Sequence, residues 1–565
     1  MIQKLGQLSS TSFFIGGLAA GAIAVTISLL LRLFAGGLFI PELASQALFS
    51  LTPGEVESQA VESLGPLAKY SAFIGAVIAN IVLYGLIGLF LGVLYKKNKI
   101  LLKRYVANAT QSSVVAYVVL LVISIILLAL TETDIEIKLN SIMLLLMYLI
   151  VPSIAFGFIL HFFYARTVSL SRQSSTMAAK KETKATTDNT TTTDSKAEEI
   201  DYKKRLFLKA GIASAVALPI LYYGLNTLLL PKKAVQQSTY LSQLLRSRPK
   251  ALGFQDPRLA PLLESEITPT DLFYRIDKNA VVPSVNAQTW NLTMKGLVDK
   301  PFVISYKDII DMPSVEQFAT LECVSNKIGG DLISTAIWKG VRLKDLLEKA
   351  QVKPTAKYIV FRCSDGYDVG IPLERGLFEG TILAYNMNGA PLTTEHGYPL
   401  RAIVPGIYGM MNAKWLTEIE LVDTVYEGYW QRKGWSNIAK YNTHSFIIIP
   451  DSALVRKRFA NLGSSSNAAS NDGIVPVAGM AFAGDRGISK VEVSTDGGTS
   501  WKDARIKDPL SQYTWVLWAT ELNLADKSAD KKIVVRATDK TGKIQTDMIA
   551  NPFPDGAKGY HIVDV

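Results

Sequence analysis

Long apolar runs dominate the first 230 residues of the chain, and short alternating runs dominate the rest. Four long apolar runs come first and a fifth follows after a polar gap; they cover 13–34, 72–95, 113–130, 142–163 and 210–230. Each is close to the ~20 residues that a helix needs to cross a bilayer. The pattern therefore predicts an all-α transmembrane region of about five helices, four of them within residues 1–164.

The loops between these runs alternate in charge. The segment between the second and third runs and the one between the fourth and fifth are rich in Lys and Arg, whereas the other two loops are acidic. By the positive-inside rule, the N-terminus is cytoplasmic and everything after Leu230 lies outside. The formal charge of +10 then belongs to the cytoplasmic loops of a membrane protein, and we predict no nucleic-acid partner.

Residues 165–205 form a low-complexity tract of Thr, Lys and Ser, which predicts a disordered cytoplasmic linker. Its end, Lys-Lys-Arg-Leu-Phe-Leu-Lys at 203–209, precedes the fifth run. It resembles a twin-arginine translocation signal with Lys204 in place of the first arginine. An ordinary basic flank explains the same residues, so the export route stays open. We predict that residues 206–230 are the fifth helix and a signal anchor.

The membrane helices carry few groups for redox chemistry of their own. A bis-imidazole haem needs two histidines, and of the four in the chain only His161 lies in an apolar run. No Asp, Glu, Lys or Arg interrupts the middle of the second, third or fourth run, which argues against an ion or proton pathway. These helices are predicted to be an anchor or a docking surface.

After a linker at 231–270, the sequence pattern changes to short β-prone runs and short helical patterns. This pattern is typical of an α+β domain over residues 271–440. A helix is predicted at 343–350. The candidate strands are 289–298, 318–323, 358–363, 382–386 and 400–404.

From residue 441 to 565 short strands follow one another, and Asp496-Gly497-Gly498 is a hairpin-turn signal. The candidate strands are 473–480, 489–494, 514–519 and 532–538. This spacing predicts a β-sandwich of immunoglobulin type, although a small barrel would have a similar pattern.

The chain has only two cysteines, Cys323 and Cys363, too few for a disulfide framework. Cys323 ends a β-prone run and precedes a loop rich in Ser, Asn and Gly, where backbone can approach a ligand closely. Cys363 is predicted to be a buried thiol in a strand.

Several segments in order resemble the sulfite oxidase family of molybdopterin-dependent oxidoreductases. They are 318–331, 333–343, 371–375, 383–389, 396–406 and 413–416. Residues 491–498 with Trp501 resemble that family's immunoglobulin-like dimerisation domain, which makes a homodimer a candidate assembly. The resemblance covers about residues 270–565 and excludes the membrane region.

The resemblance implies a molybdenum-molybdopterin cofactor and a role for each matching residue. Cys323 matches the cysteine that binds molybdenum through sulfur, and a thiolate suits such a metal. The implied residues around the cofactor are Arg275, His396, Arg401 and Lys414, and those facing the substrate are Tyr367, Lys327, Arg275 and Arg486. Arginine forks and a lysine ammonium suit a phosphate-bearing ligand.

This chain also departs from the family's pattern. Lys327 stands where the family has an arginine, the tryptophan of the sulfite pocket has no counterpart, and Asp277 stands where some members have histidine. Met410-Met411-Asn412 replaces a basic residue before the cofactor lysine. The cofactor framework is therefore kept better than the anion pocket, and the substrate stays open.

The resemblance implies a membrane-anchored, extracytoplasmic oxidoreductase that transfers an oxygen atom to or from a small substrate, with molybdenum cycling between Mo(VI) and Mo(IV). Because the chain shows no haem or iron–sulfur ligand set, electrons would pass to a separate carrier, a c-type cytochrome or a membrane redox protein. Two alternatives are a sulfoxide-type reductase of the same fold and a cofactor-free membrane scaffold, which would need neither Cys323 nor Lys414.

Overall fold

The structure is a computed structural model that describes residues 10–35, 38–64, 67–97, 109–131, 135–164, 266–279, 282–449, 474–523 and 532–564, with Leu259 and Leu262. The predicted tract 165–205, the predicted fifth helix at 206–230 and most of the linker 231–270 lie outside these residues. The chain divides into two compact units. One holds the apolar helices; the other holds residues 282–565 together with the segments 53–63 and 234–278.

The first unit is helical and apolar, as the hydropathy pattern predicts. Among the residues that the structure describes, four helical stretches are long and apolar enough to cross a membrane: Thr11–Arg32, Ser71–Leu94, Ala109–Leu130 and Ile142–Tyr164. The helix bounds in this part of the chain are Ser10–Ala35, Ile40–Leu51, Gly54–Leu64, Leu67–Lys97, Ala109–Leu130 and Ile135–Tyr148, and residues 150–164 are also helical. The helices Ile40–Leu51 and Gly54–Leu64 fall in what the sequence indicated only as an acidic loop.

Small residues let the first and second apolar helices approach closely. A Cβ on Gly17 would lie 2.6 Å from the carbonyl oxygen of Tyr84, and one on Gly88 would lie 2.7 Å from that of Phe13. Such contacts between small residues are a common basis of helix association in membranes.

The α+β part of the second unit has two sheets. Their strands are β1 Asn291–Gly296, β2 Phe302–Ser305, β3 Val315–Glu322, β4 Ile333–Arg342, β5 Tyr358–Cys363, β6 Asp368–Pro372, β7 Ile382–Met387, β8 Ala390–Pro391, β9 Arg401–Ile403 and β10 Leu416–Val422. The first sheet has the order β2-β1-β10-β5-β6, with β1 and β10 parallel and the other pairs antiparallel. The second has the order β3-β4-β7-β8, with β9 pairing β7.

Short helices connect these strands. They are Tyr306–Asp311, Leu343–Ala350 and Leu373–Leu377. Leu343–Ala350 has the bounds that its apolar spacing predicts, and it buries Leu343, Leu346 and Leu347 on one face.

The C-terminal part is a sandwich of two four-stranded sheets. Its strands are β11 His444–Ile449, β12 Ile474–Phe482, β13 Ile488–Ser494, β14 Lys502–Asp503, β15 Arg505–Ile506, β16 Val516–Asn523, β17 Lys532–Asp539 and β18 His561–Asp564. The sheet orders are β11-β12-β16-β15 and β14-β13-β17-β18. Buried side chains from both sheets, such as Val491, Val535 and Trp518, form one core. At the predicted hairpin, Gly497 and Gly498 have φ of +70° and +94°, which glycine adopts without strain.

Candidate active site

Cys323 is the first residue after β3, where the sequence places it. Its backbone N–H donates to the carbonyl of Leu332 at 2.9 Å, its Sγ lies 3.0 Å from Ser325 Oγ, and it is 8% exposed. Among the described residues, no group of three or more His, Cys, Asp or Glu could hold a metal ion.

Asn326 closes the loop that follows Cys323. Its Oδ1 accepts from the backbone N–H of Leu332 at 3.0 Å, and its Nδ2 donates to Glu322 Oε1 at 3.0 Å. The loop thus folds back onto the end of its own strand. Lys327 lies at the exposed side of this loop, where its ammonium can meet a ligand from solvent.

The last strand of the chain supports the same loop. The ring of His561 occupies the space beside Gly329, which has φ of +78°, so a side chain at Gly329 would collide with it. His561 Nδ1 accepts from the backbone N–H of Ile447 at 3.1 Å, and burial lowers the pKa of His561 to about 4. The neutral ring therefore packs between the sandwich and the loop.

A buried acid lies immediately before the thiol. Burial raises the pKa of Glu322, although His444 and the amide of Asn326 oppose the shift. The distance between Glu322 Oε1 and His444 Nε2 is 3.4 Å. The carboxyl group is thus held between the loop and β11 of the sandwich.

A second cluster gathers cations around one carboxylate. Asp277 accepts from both Arg275 and Lys414. Arg401 lies beside them, with its guanidinium 4.9 Å from the ring centre of Trp338. Two of its nitrogens donate to backbone carbonyls, those of His396 at 3.2 Å and Asn412 at 3.4 Å.

Positive charge exceeds negative charge in this buried cluster. Burial lowers the pKa of Lys414, and Asp277 opposes that shift. Burial lowers the pKa of Arg401 to about 10, so it stays charged near neutral pH. Burial and the neighbouring Lys414 lower the pKa of His396 to about 3, so this ring is neutral.

The cluster also has a donor with no protein acceptor: the buried Nε of Arg401 has no hydrogen-bond partner among the described residues. Buried charges are normally paired, and planar guanidinium groups suit phosphate. An anionic, phosphate-bearing ligand would supply the missing acceptor and the missing negative charge. The residues present therefore fit a molybdopterin phosphate.

Tyr274 and Gly409 connect the two clusters. Tyr274 precedes Arg275, and its hydroxyl lies against Gly409. A Cβ on Gly409 would also lie 3.0 Å from the carbonyl oxygen of Glu322, the residue before Cys323. The end of β3 and the start of the cation cluster therefore border the same small space.

Tyr367 and Arg486, two further predicted site residues, lie in different parts of the second unit. The hydroxyl of Tyr367 donates to the carbonyl of Met410 at 2.6 Å, next to Gly409, and burial raises the pKa of Tyr367 well above its ordinary value. Arg486 belongs to the sandwich, where its Nε donates to Asp539 at 2.8 Å. This pairing favours a structural role for Arg486 over the contact with substrate that the resemblance implied.

Sequence reasoning missed the shared role of Asp277, which it treated only as a departure from the family. It also missed Asn326 and Glu322 as the residues that close the loop, although both lie in the segment that carried the resemblance. Glu322 and Asn326 have polar side chains and lie close to the candidate metal ligand Cys323 in the sequence, and this is the signal from which their role could have been predicted.

Comparison with known proteins identifies the class. Residues 279–430 match the family described as the oxidoreductase molybdopterin binding domain, and residues 437–553 match the Mo-co oxidoreductase dimerisation domain. The chain is 39% identical over 146 residues to the uncharacterized oxidoreductase YuiH of Bacillus subtilis, covering 26% of this chain and 72% of that protein.

It is 29% identical over 322 residues to the mitochondrial sulfite oxidase of Rattus norvegicus, covering 51% of this chain and 59% of the rat protein, so it spans about three fifths of that relative. The crystal structure of the sulfane dehydrogenase SoxCD from Paracoccus pantotrophus aligns with a TM-score of 0.44 and 22% identity, over 56% of this chain and 85% of that one.

The chain therefore belongs to the sulfite oxidase family of molybdopterin-dependent oxidoreductases, and its cofactor is molybdenum-molybdopterin. Four apolar helices near the N-terminus indicate membrane association.

Proposed function

We propose that this protein is a membrane-anchored, extracytoplasmic molybdenum oxidoreductase that transfers an oxygen atom to or from a small substrate, with sulfur compounds as the first candidates. The observation that carries the proposal is the buried excess of positive charge around Asp277, with the unpartnered Nε of Arg401. A cofactor-free scaffold would have to retain this desolvated charge with no ligand to neutralise it.

Each residue then has a defined task. When bound, the cofactor supplies oxygen-atom transfer and takes up or releases an electron pair. Cys323 would hold the metal, while Arg401 and Lys414 would hold the phosphate. His396 is neutral and its Nε2 donates to the carbonyl of Thr270 at 2.9 Å, so its Nδ1 would accept a hydrogen bond without adding charge.

The substrate side would be formed by Lys327 and Tyr367. Lys327 is exposed on the loop after Cys323 and can attract an anionic or polar group from solvent. The Tyr367 hydroxyl stays protonated, since burial raises its pKa, and it would turn from the carbonyl of Met410 to donate to negative charge that develops on the substrate. Arg275 would hold the carboxylate of Asp277 in place at the buried end of the site.

The charge alternation of the loops supports an extracytoplasmic position for residues 271–565, with a fifth helix at 206–230 and a twin-arginine-like signal before it. The domain limits we propose are 1–164, 165–205, 206–230, 231–270, 271–440 and 441–565. The two facing sheets after residue 441 support a sandwich of immunoglobulin type, and the match to the dimerisation domain supports a homodimer. Electrons would pass to a separate carrier, a cytochrome c or a membrane redox protein.

The first test is molybdenum and pterin content of detergent-purified protein from a host that makes the cofactor. We expect near-stoichiometric metal in the wild type and loss of activity in Cys323→Ala. The matched control is Cys363→Ala, because Cys363 is buried in β5 and burial raises its thiol pKa well above the ordinary value. Wild-type protein with neither metal nor pterin would reject the enzyme proposal.

The direction of the reaction needs a second assay. Purified enzyme would be offered sulfite and related sulfur compounds with artificial electron acceptors, and sulfoxides with artificial donors. Turnover only with donors would replace the oxidase proposal by the reductase alternative. Cys323→Ala should abolish whichever activity is found, while Cys363→Ala should retain it.

A further inference from the structure

Residues 53–63, which we call the strap, are separated in sequence from the catalytic part of the chain but are not separated from it in the fold. The strap lies between the first and second membrane-type helices, yet it belongs to the same compact unit as residues 282–565. Most of it is the helix Gly54–Leu64. A loop segment that folds with a distant module needs specific contacts to hold it there.

The first contact is a close backbone approach at Gly54. An added Cβ at this position would lie 2.5 Å from the carbonyl oxygen of Lys433, 3.0 Å from Trp435 Nε1 and 3.3 Å from the ring of Phe553. Distances under 3.0 Å to backbone require the structure to shift. Glycine is therefore the residue that lets the start of the strap lie flat against this surface.

The second contact is a buried ion pair. Glu57 Oε2 lies 3.3 Å from Lys433 Nζ, and the two side chains are 8% and 4% exposed. The same ammonium lies 4.8 Å from the ring centre of Tyr429 and 5.7 Å from that of Trp430, within the range of cation–π attraction. Burying one partner without the other leaves an uncompensated charge, so each requires the other.

The contact surface leads towards the predicted substrate side. The ring of Tyr429 lies 6.1 Å from that of Tyr367. Lys278 Nζ lies 4.9 Å from the ring centre of Tyr429 and donates to the carbonyl of Gly366 at 2.7 Å. Glu57, Lys433, Tyr429 and Tyr367 thus form a continuous row of contacts.

We propose that the strap is an intramolecular docking element. It binds the surface formed by Tyr429, Trp430, Lys433, Trp435 and Phe553, and so ties the catalytic module to the loop between the first two membrane-type helices by a contact separate from the main linker. Through Lys433 and Tyr429 it also supports the position of Tyr367. The proposal goes beyond the proposed function and depends on neither substrate nor cofactor; it requires only that strap and module lie on one side of the membrane.

The test cuts the covalent linker, so that only the strap contact can hold the catalytic module on the membrane. A specific protease site is placed within residues 231–258 of the full chain, and purified membranes are cleaved and washed. We expect the cleaved catalytic module to stay on the membrane in the wild type. Glu57→Gln should weaken its retention by at least ~100-fold, since it leaves Lys433 buried without its counter-charge.

The matched control is Glu55→Gln, because Glu55 is on the same helix and exposed; it should retain the module as the wild type does. Gly54→Leu should release the module by collision without changing any charge. Release of the wild-type module on cleavage, or equal retention in Glu57→Gln and Glu55→Gln, would overturn the proposal.

Chemical cross-linking tests the contact by proximity, and replacing Glu57 and Lys433 together leaves neither charge buried without its partner. The chain's own cysteines, Cys323 and Cys363, are both buried. Glu57→Cys with Lys433→Cys, treated with a short bis-maleimide and then cleaved at the linker, should give one covalent species. If the fragments separate while the protein retains molybdenum, the dock is wrong and the enzyme proposal still stands.

Discussion

Two buried charge clusters in the second unit contain the same kinds of residue but balance them differently. Around Asp277, one carboxylate faces Arg275 and Lys414, with Arg401 beside them. In the sandwich, one arginine, Arg486, faces one carboxylate, Asp539. The resemblance implied ligand-binding roles for the basic residues of both clusters: Arg275, Arg401 and Lys414 in the first and Arg486 in the second.

In the sandwich cluster, hydrogen bonds from protein groups match the charge of Asp539. Burial alone would raise the pKa of Asp539, but hydrogen bonds from Thr541, Arg486 and Thr443 hold it well below the usual range. Its oxygens also accept from the backbone of Lys543. The cluster around Asp277 lacks such completion, because Arg401 keeps a buried donor without a partner among the described residues. The unpartnered donor of Arg401 is the reason that the proposed function assigns a ligand to this cluster, whereas the Arg486–Asp539 pair needs none.

The largest expected effect tests the balanced pair. Arg486→Met leaves Asp539, which is 0% exposed, without its counter-charge. We expect the sandwich to lose about 3 kcal/mol of stability, at the lower end of the cost of breaking a buried pair because Arg486 is 22% exposed. Hydrogen exchange of the β17 amides measures this loss.

Molybdenum content of the folded Arg486→Met protein should equal that of the wild type. A variant of normal stability that loses the cofactor or binds substrate poorly would instead restore the role in substrate binding that the resemblance implied.

The next effect tests the unbalanced cluster. Arg401→Met removes the guanidinium that the proposed function assigns to the phosphate. A hydrogen bond from a charged group contributes about 1.5–3 kcal/mol, so cofactor retention should fall ~10- to ~150-fold. Pterin fluorescence after extensive dilution measures retention.

The cofactor-free Arg401→Met chain should lose less stability than Arg486→Met, because removal of a desolvated cation offsets the loss of its hydrogen bonds to the carbonyls of His396 and Asn412. An equal loss of stability in the two variants would mean that Arg401 is a structural residue, like Arg486.

A smaller effect depends on pH. The fold holds the pKa of His396 at about 3, below its ordinary 6.5, because burial and Lys414 disfavour the imidazolium. This contribution to stability is complete above pH 6.5 and is lost as the pH falls towards 3. The slope is at most about 1.4 kcal/mol per pH unit.

The measurement is the unfolding midpoint of cofactor-free protein at several pH values. His396→Gln, which can still donate to the carbonyl of Thr270, should flatten the dependence between pH 6.5 and 5. An unchanged dependence would show that other groups dominate acid unfolding.

The smallest effect is the surface control. Lys307 and Asp311 form an ion pair whose side chains are 80% and 58% exposed. Because solvent screens such pairs, Lys307→Met should change neither stability nor cofactor retention measurably. A measurable change in cofactor retention would show that the assay responds to loss of any positive charge, and it would remove the basis for interpreting Arg401→Met.

Much of this architecture follows from local sequence. The four apolar helices need only composition over ~20 residues, so hydropathy locates them. Tyr358–Cys363 and Leu343–Ala350 have the predicted bounds because their patterning is strong and local. The strap helix Gly54–Leu64 was missed, since contacts with residues nearly 400 positions away stabilise it, as the Glu57–Lys433 separation of 376 shows.

The site was predictable in its residue types but not in its pairing. The resemblance located Cys323, Arg401 and Lys414, and the structure places the last two in one buried cluster. Charge balance, however, depends on tertiary neighbours. The partner of Arg486, Asp539, lies 53 residues further along the chain, and no local pattern distinguishes it from a solvated aspartate.

The pairing of Asp277 with Lys414 also constrains the order of events in biosynthesis. The two residues are 137 positions apart, and Thr320 of β3 accepts a hydrogen bond from the backbone of Trp515 at 2.9 Å. The pair cannot form before Lys414 has been synthesised, and β3 cannot make its contact with Trp515 before that residue has been synthesised. A cofactor held by this cluster, as proposed, can therefore be loaded only after residue 515 has been synthesised, and any export machinery that moves the loaded enzyme has to accept a folded cargo.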